Sequence, residues 1–448
     1  MSKNKKQKVV IGEHGIDDAR VLGVPKMMIL GFQHTFAMFG ATVLVPLLTG
    51  LNMQTTLLMA GLGTLLFHLI TKGKVPAFLG SSFAFLGGYA AVAPLMADGT
   101  PNKEMLPYAC LGVACAGLVY LILASLFACF PVEKVMRFFP PVVTGPIIIS
   151  IGLSLAGSAV NNCKTNWILA LTALAIIIIC NIWGKGMAKI VPILIGIVVS
   201  YVLAVCLKQV DFAPIKDAAW FGFPITKEGM VFGNVGDKGV AISSIIAIVP
   251  IALATMMEHI GDISAISATT GKNFLADPGL KRTLIGDGIA TSLSAMFGGP
   301  ANTTYGENTG VLALTKVYDP RVVRIAACVA VVLSFSPKFA AVINTIPPAI
   351  IGGVSFILYG MISGIGVRNM VENKVDLTKS RNLIITAVIL VCALGIGSVD
   401  FSLGQFNISL SSLAVAAIAG IALNAILPGN DYNFKMEQNE KVEEASAK

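Results

Sequence analysis

Long apolar runs alternate with short polar connections from about residue 27 to residue 427. A membrane span needs about 20 mostly apolar residues. Runs of roughly that kind fall at 27–49, 54–71, 76–95, 105–130, 138–158, 166–184, 187–207, 240–267, 283–297, 301–316, 321–343, 346–366, 382–398 and 407–427. The pattern predicts an all-α polytopic membrane protein of about 14 transmembrane segments. Two segments differ from the rest. The third opens with Pro76-Ala77-Phe78-Leu79-Gly80-Ser81-Ser82-Phe83, and the tenth with Gly298-Gly299-Pro300-Ala301-Asn302-Thr303-Thr304-Tyr305-Gly306. Both are too rich in glycine and polar residues for an ordinary lipid-facing helix. Non-helical backbone at membrane depth survives only where it is buried in protein or lines a cavity, so these two spans are expected to be discontinuous. A half-helix following such a stretch would aim free N–H groups and a positive dipole end at the midplane, which suits the carbonyl oxygens of a solute.

The chain also echoes itself. Phe139-Pro140-Pro141-Val142-Val143-Thr144-Gly145 is similar to Ile346-Pro347-Pro348-Ala349-Ile350-Ile351-Gly352, and Gln33-His34 to Glu258-His259. If the fifth and twelfth segments correspond, as do the first and eighth, the repeat unit is seven spans. An odd unit inserts its two copies in opposite orientations, predicting two inverted repeats.

Composition agrees with a membrane protein. The 448 residues are 55% hydrophobic and only 12% charged, with a mean hydropathy of +0.80, against roughly 25% charged residues in soluble domains. The net charge of +8 is explained by position: 25 of the 32 Lys and Arg residues fall on one side of the predicted topology. The positive-inside rule makes that side cytoplasmic, with cytoplasmic tails at 1–26 and 428–448. The basic balance therefore calls for no nucleic acid. Residues 1–26 are polar and lead into a full-length span, so no cleavable signal pattern is visible and the first span is expected to direct insertion. The segment 208–238, with Trp220, Phe221, Phe223 and Phe232, is expected to be extracellular or interfacial. The last residues, from Asn430, are expected to be disordered. The eight cysteines have no CxxC spacing and read as small core residues, with only Cys163 expected in a loop.

Ionisable residues inside the apolar runs carry the candidate chemistry. A charge at bilayer depth costs about 2.5–3.5 kcal/mol on insertion scales and persists where it meets a substrate, a proton path or a partner. Glu307 lies in the glycine-rich tenth segment. Glu258 and Asp262 are spaced i,i+4 on one helical face, in a run that also holds Thr255, His259 and Ser264. Such a stripe either faces a cavity or pairs with a neighbouring helix to hold the bundle together. His34 is either an interhelical hydrogen-bonder or a ligand contact. Asp287, between Gly286 and Gly288, is expected to cap a helix. The four histidines (His14, His34, His68, His259) form no metal-ligand spacing with cysteine, and no nucleophile–base set appears. The sequence thus points to a transporter with no metal and no cofactor rather than to an enzyme.

The run Glu307-Asn308-Thr309-Gly310-Val311-Leu312-Ala313-Leu314-Thr315-Lys316 resembles the signature of the nucleobase/ascorbate transporter family: Gln or Glu, Asn, any residue, Gly, four residues, Thr and usually a basic residue. Gln33-His34, Gly80-Ser81-Ser82-Phe83, Glu258-His259-Ile260-Gly261 and Tyr305-Gly306-Glu307-Asn308 are similar to the bacterial uracil permease branch. The resemblance covers about residues 22–428. It implies a core domain (27–130 and 240–343) moving against a gate domain (138–207 and 346–427) in proton-coupled transport, with homodimers formed through the gates. It also implies a base held between the third, eighth and tenth spans. Glu258 and Glu307 would accept its hydrogen bonds, backbone near Phe83 and Gly306 would contact the remainder, and Ser82, Phe83 and Tyr305 would pack around it. His34, His259, Asp262 and Asn308 would support the site or the coupling.

Uracil fits that chemistry, because carboxylates suit its two ring N–H donors and half-helix N–H groups suit its two carbonyls. Two carboxylates would repel the substrate of an anion exchanger. The chain departs from the branch at Asp262, where the best-known uracil permeases have histidine and purine or ascorbate relatives often have Asp. A purine such as xanthine or urate is therefore the competing substrate. Glu258 and Asp262 are expected to share a proton, since their charges disfavour full ionisation of both.

Overall fold

The computed structural model describes residues 11–12, 14–96, 100–130, 134–135, 137–403 and 406–429. The tail from Asn430 and the first ten residues lie outside the described residues. Each of the apolar segments contains helix. In chain order the main helices are α1 (Val24–Thr49), α2 (Met53–Ile70), α3 (Leu86–Val92), α4 (Leu106–Cys129), α5 (Pro141–Cys163), α6 (Trp167–Trp183), α7 (Pro192–Cys206), α8 (Lys238–Ile248), α9 (Ile251–Thr270), α10 (Leu280–Met296), α11 (Gly306–Thr315), α12 (Pro320–Ser334), α13 (Pro337–Asn344), α14 (Pro348–Glu372), α15 (Ser380–Gly395) and α16 (Ser412–Ile426). Six spans among the described residues, one of them the joined pair α8 and α9, are long and apolar enough to cross a bilayer alone, and α12 and α13 form a bent pair at 89°. The chain is a multi-pass membrane protein.

Local chemistry sets the helix starts. Prolines occupy the first turn of α1, α4, α5, α7, α12, α13 and α14, where the missing N–H has no intrahelical partner to lose. Asn52, Asn166, Asp237, Asp319, Ser336 and Ser411 accept hydrogen bonds from the free N–H groups of α2, α6, α8, α12, α13 and α16.

The fold is predominantly helical but not purely so. Strand β1 (Leu79–Ser81) of the third segment pairs antiparallel with β2 (Asn302–Thr304) of the tenth, in the register Leu79↔Thr304, Gly80↔Thr303, Ser81↔Asn302. Each strand is followed by a short helix, α3 or α11. The ladder is extended by Ser82 N donating to the Ala301 carbonyl (2.9 Å) and Tyr305 N to that of Phe78 (3.0 Å). Threonines on flanking helices close the outer edges. Leu79 N donates to Thr64 Oγ1 on α2 (2.9 Å). Asn302 N donates to Thr291 Oγ1 on α10 (3.1 Å), and that hydroxyl donates back to the Asn302 carbonyl (3.0 Å). A second hairpin, β3 (Ser398–Leu403) with β4 (Phe406–Ser411), occupies what the hydrophobic pattern read as the connection after 382–398 and the start of the last span. Ser398–Leu403 and Phe406–Ser411 each alternate polar and apolar residues with period two, a strand signal that average hydropathy hides.

Glycines let the helices touch closely. A Cβ on Gly288 of α10 would lie 2.5 Å from Tyr120 Cβ and 2.6 Å from the Gly117 carbonyl of α4. Gly366 of α14 is similarly pressed on α5, 2.6 Å from Ile149 N. Cys163, expected in a loop, is instead 3% exposed at the end of α5, because Gly352 of α14 lets the backbones meet there.

The segment 208–238 is fastened to helix ends. Gly222 N donates to the Phe335 carbonyl (2.9 Å), Lys338 N to that of Ala219 (3.0 Å) and Val231 N to that of Met296 (3.1 Å). Thr55 Oγ1 donates to the Pro224 carbonyl (2.6 Å). Trp220, Phe221 and Phe223 stay exposed, and the Lys338 ammonium sits 4.6 Å from the Trp220 ring centre. Before α1, Ile16 pairs with Val317, Ala19 N donates to Asp319 Oδ2 (2.8 Å) and Asp17 meets Lys272 (2.7 Å). Asp18 bonds the guanidinium of Arg20, which holds its carboxyl well below the usual carboxylate range.

Gly288→Val should overpack the α4–α10 contact and destabilise the purified protein by about 1–3 kcal/mol, read as a lower melting temperature in detergent. Gly157→Val, on an exposed face of α5 with no neighbour within 4 Å of the added carbon, is the control expected to melt like the parent.

Candidate functional site

Helix α9 presents Thr255, Glu258 and Asp262 along one face. Glu307 stands in the first turn of α11, which starts at Gly306 because Tyr305 keeps an extended backbone at the N-cap. Glu258, Asp262 and Glu307 are half-buried and within electrostatic reach of one another. They border open space: nothing lies within 4 Å of where a Cβ would stand on Gly261 of α9 or on Gly306 and Gly310 of α11. The first N–H groups of α11 have no intrahelical partner and collect at this edge.

The remaining residues form walls and braces. Phe83 is half-buried at the turn from β1 to α3, its ring edge-on to Tyr359 of α14 with centroids 6.2 Å apart. Ser82 is 1% exposed and its hydroxyl has no protein partner. Tyr305 is 4% exposed. Its phenol donates to the Ser81 carbonyl (3.2 Å) and accepts from Thr42 (3.2 Å). Its ring covers Gly80, where any side chain would collide with it. This tyrosine therefore braces the crossing of the two broken segments, and its hydroxyl is already committed to the protein.

Asp262 accepts a hydrogen bond from Thr304 Oγ1 of β2 at 2.7 Å, which ties α9 to the tenth segment. Asn308 Nδ2 donates to the His34 carbonyl (3.1 Å) and lies 3.1 Å from His34 Nδ1, docking α11 on α1. His34 is thus an interhelical hydrogen-bonder beneath Glu307. His259 points away from the open space into the protein, where its Nδ1 lies 3.0 Å from Asp287 Oδ2. Asp287 is not a helix cap. Helix α10 begins at Leu280, so Asp287 falls in its interior, fully buried, with its carboxyl turned to His259.

Sequence reading singled out Glu258, Asp262 and Glu307, which lie within electrostatic reach of one another, and Phe83, which packs on Tyr359. It missed Thr304, which lies within the quoted motif but carries no periodic or charge signal, and Tyr359, an aromatic in an apolar span. Among the described residues, no group of three or more His, Cys, Asp or Glu side chains is arranged to hold a metal ion.

The profile of the Permease family matches residues 25–400. The chain belongs to the nucleobase/ascorbate transporter family. Its relatives are permeases rather than enzymes. It is 42% identical over 409 residues to the uracil permease of Bacillus subtilis (strain 168), covering 88% of this chain and 91% of that protein. It is 41% identical over 418 residues to the uracil permease of Bacillus caldolyticus, covering 91% and 93%. Among solved structures, the fold is similar to the transmembrane domain of a cyanobacterium bicarbonate transporter, BicA, with a TM-score of 0.58 and 18% identity over 91% of this chain and 99% of that one. It is also similar to SLC26A9, with a TM-score of 0.64 and 13% identity over 89% and 64%. At those identities the likeness concerns fold alone.

Thr304→Val removes a hydrogen bond to a carboxyl, which is worth about 1.5–3 kcal/mol when the acceptor is charged. The variant should therefore melt at a lower temperature than the parent in detergent, and Thr304→Ser should melt like the parent.

Proposed function

We propose that the protein takes up uracil together with a proton across the cytoplasmic membrane. The observation that carries this reading is the convergence of Glu258 and Glu307, from α9 and the start of α11, within electrostatic reach of one another beside glycines that have no near neighbour. Two carboxyl groups suit the two ring N–H donors of uracil, and the free N–H groups at the start of α11 suit a carbonyl. The names of the similar permeases support the same substrate. Asp262, held by Thr304 one turn beyond Glu258, would carry the coupled proton in exchange with Glu258.

We further propose fourteen spans in two inverted seven-span repeats. The matched use of Thr64 beside β1 and Thr291 beside β2 supports it, since these lie in the second and ninth segments, one repeat apart. The core (27–130, 240–343) would shift against the gate (138–207, 346–427), and the Phe83–Tyr359 contact would belong to the surface between them. Both tails would be cytoplasmic, the segment 208–238 extracellular, and copies would pair through their gates.

The deciding experiment is uptake of labelled uracil by cells lacking their own uracil permease, with and without a protonophore and with excess xanthine. Uptake that the protonophore abolishes and xanthine leaves alone supports the proposal. Xanthine uptake without uracil uptake would move the substrate to the purines, with Asp262 the first residue to exchange. In the same cells Glu258→Gln and Glu307→Gln should each lower uptake by about tenfold or more, as loss of an acceptor for a charge-assisted bond requires. Asp262→Asn should bind uracil within about threefold of the parent, a change below one hydrogen bond's worth, and lose most of its response to the protonophore. Unchanged coupling in that variant would remove Asp262 from the proton path.

A further inference from the structure

Among the described residues, the most deeply buried ion pair has no part in the mechanism above. His259 and Asp287 are each 0% exposed, with His259 Nδ1 3.0 Å from Asp287 Oδ2. None of His259 Nδ1, His259 Nε2, Asp287 Oδ1 and Asp287 Oδ2 has a partner in hydrogen-bonding geometry, so the 3.0 Å approach is a close polar contact sealed inside the protein. A pair of this kind is a weak source of stability, because desolvation offsets its attraction and well-packed apolar residues often serve as well. What an apolar pair does not supply is a fixed direction.

Direction matters at this place in the fold. On its open side α9 has no packing to set its rotation, since nothing stands within 4 Å of a Cβ on Gly261. His259 follows Glu258 directly, and successive helical residues are about 100° apart around the axis. Any rotation that moves His259 off α10 swings Glu258 by the same angle across the open space. Asp287, for its part, is held still. Gly286 before it admits the Phe67 ring of α2 to 2.8 Å from where its Cβ would be, and Gly288 after it admits Tyr120 of α4. Phe67 also lies edge-on to His259, with centroids 6.2 Å apart and planes at 74°. The Gly286-Asp287-Gly288 triplet therefore wedges a carboxyl between two aromatic residues and presents it to α9 from a rigid helix.

We infer that His259 and Asp287 are positioning residues that set the rotation of α9 and so aim Glu258 and Asp262 at the substrate. This inference rests on the nucleobase-binding reading of the site. Two double variants test it on purified protein, with labelled uracil binding and the melting temperature measured side by side. His259→Phe with Asp287→Leu keeps the volume apolar and loses the direction. It should melt near the parent and bind about tenfold more weakly, the scale of a misaimed charge-assisted bond. His259→Asp with Asp287→His exchanges the partners and keeps the contact, and should return binding to within about threefold of the parent.

Parent-like binding by the apolar variant overturns the inference. If that variant does not fold, the exchange variant decides: parent-like binding supports the inference, and folded protein with binding still weakened overturns it. The parent protein tests the underlying reading separately. Should it bind xanthine and not uracil, the same ratios are taken with xanthine. Binding of neither base overturns both, since the carboxyls would then have no base to meet.

Discussion

A bilayer offers no water to unpaired backbone, so every N–H and C=O at membrane depth needs a partner inside the protein. The third and tenth segments satisfy this requirement through each other. Residues 79–81 and 302–304 are too short to form a sheet of their own, yet paired together they close one ladder. Thr64 and Thr291 then supply the side-chain partners that a third and fourth strand would otherwise have to provide. Tyr305 completes the crossing by bonding Ser81 across Gly80. Because this crossing is fixed, α11 must begin where it does, with Glu307 in its first turn.

The eighth segment approaches the same space by a different device. Helix α9 is continuous, so its carboxyl groups are placed by rotation and tilt rather than by a broken backbone. Three polar contacts hold it from three neighbours: Tyr120 of α4 donates to Thr255 (2.7 Å), Asp287 of α10 meets His259, and Thr304 of β2 donates to Asp262. The contacts at Thr255 and His259 are fully buried, and the one at Asp262 lies at the border of the open space. The two halves of the site are therefore coupled, since Thr304 belongs to the same strand whose pairing fixes α11. A change in the crossing of the broken segments would reach Glu307 through the backbone and Asp262 through one hydroxyl.

Much of this was legible in the residues. Glycine and hydroxyl residues in an apolar run marked the two broken segments, and i,i+4 spacing put Glu258 and Asp262 on one face. The pairing of β1 with β2 was not legible, because three-residue strands give no periodic signal and their partners lie more than 200 residues apart. Asp287 misled for a related reason. Flanking glycines are common at helix ends, and only the structure shows that here they make room for Phe67 and Tyr120 inside a helix. Cys163 followed the same logic, since its burial depends on Gly352 in a distant helix. Hydropathy registers how much surface a residue hides, not which neighbour hides it.

The glycines divide into two groups that sequence alone does not separate. Gly80, Gly117, Gly286 and Gly288 are pressed against a ring or a backbone, so their lack of a side chain serves close packing. Gly261, Gly306 and Gly310 face nothing within 4 Å, so packing does not explain them. Two of these three lie on α11 beside Glu307 and the third on α9 between Glu258 and Asp262. A Cβ on any of them would meet no other atom within 4 Å. Bare backbone there leaves uncovered the stretches of α9 and α11 that carry Glu258, Asp262 and Glu307. The open glycines thus leave backbone uncovered beside the carboxyl groups, and the packed glycines let the neighbouring helices and strands meet closely.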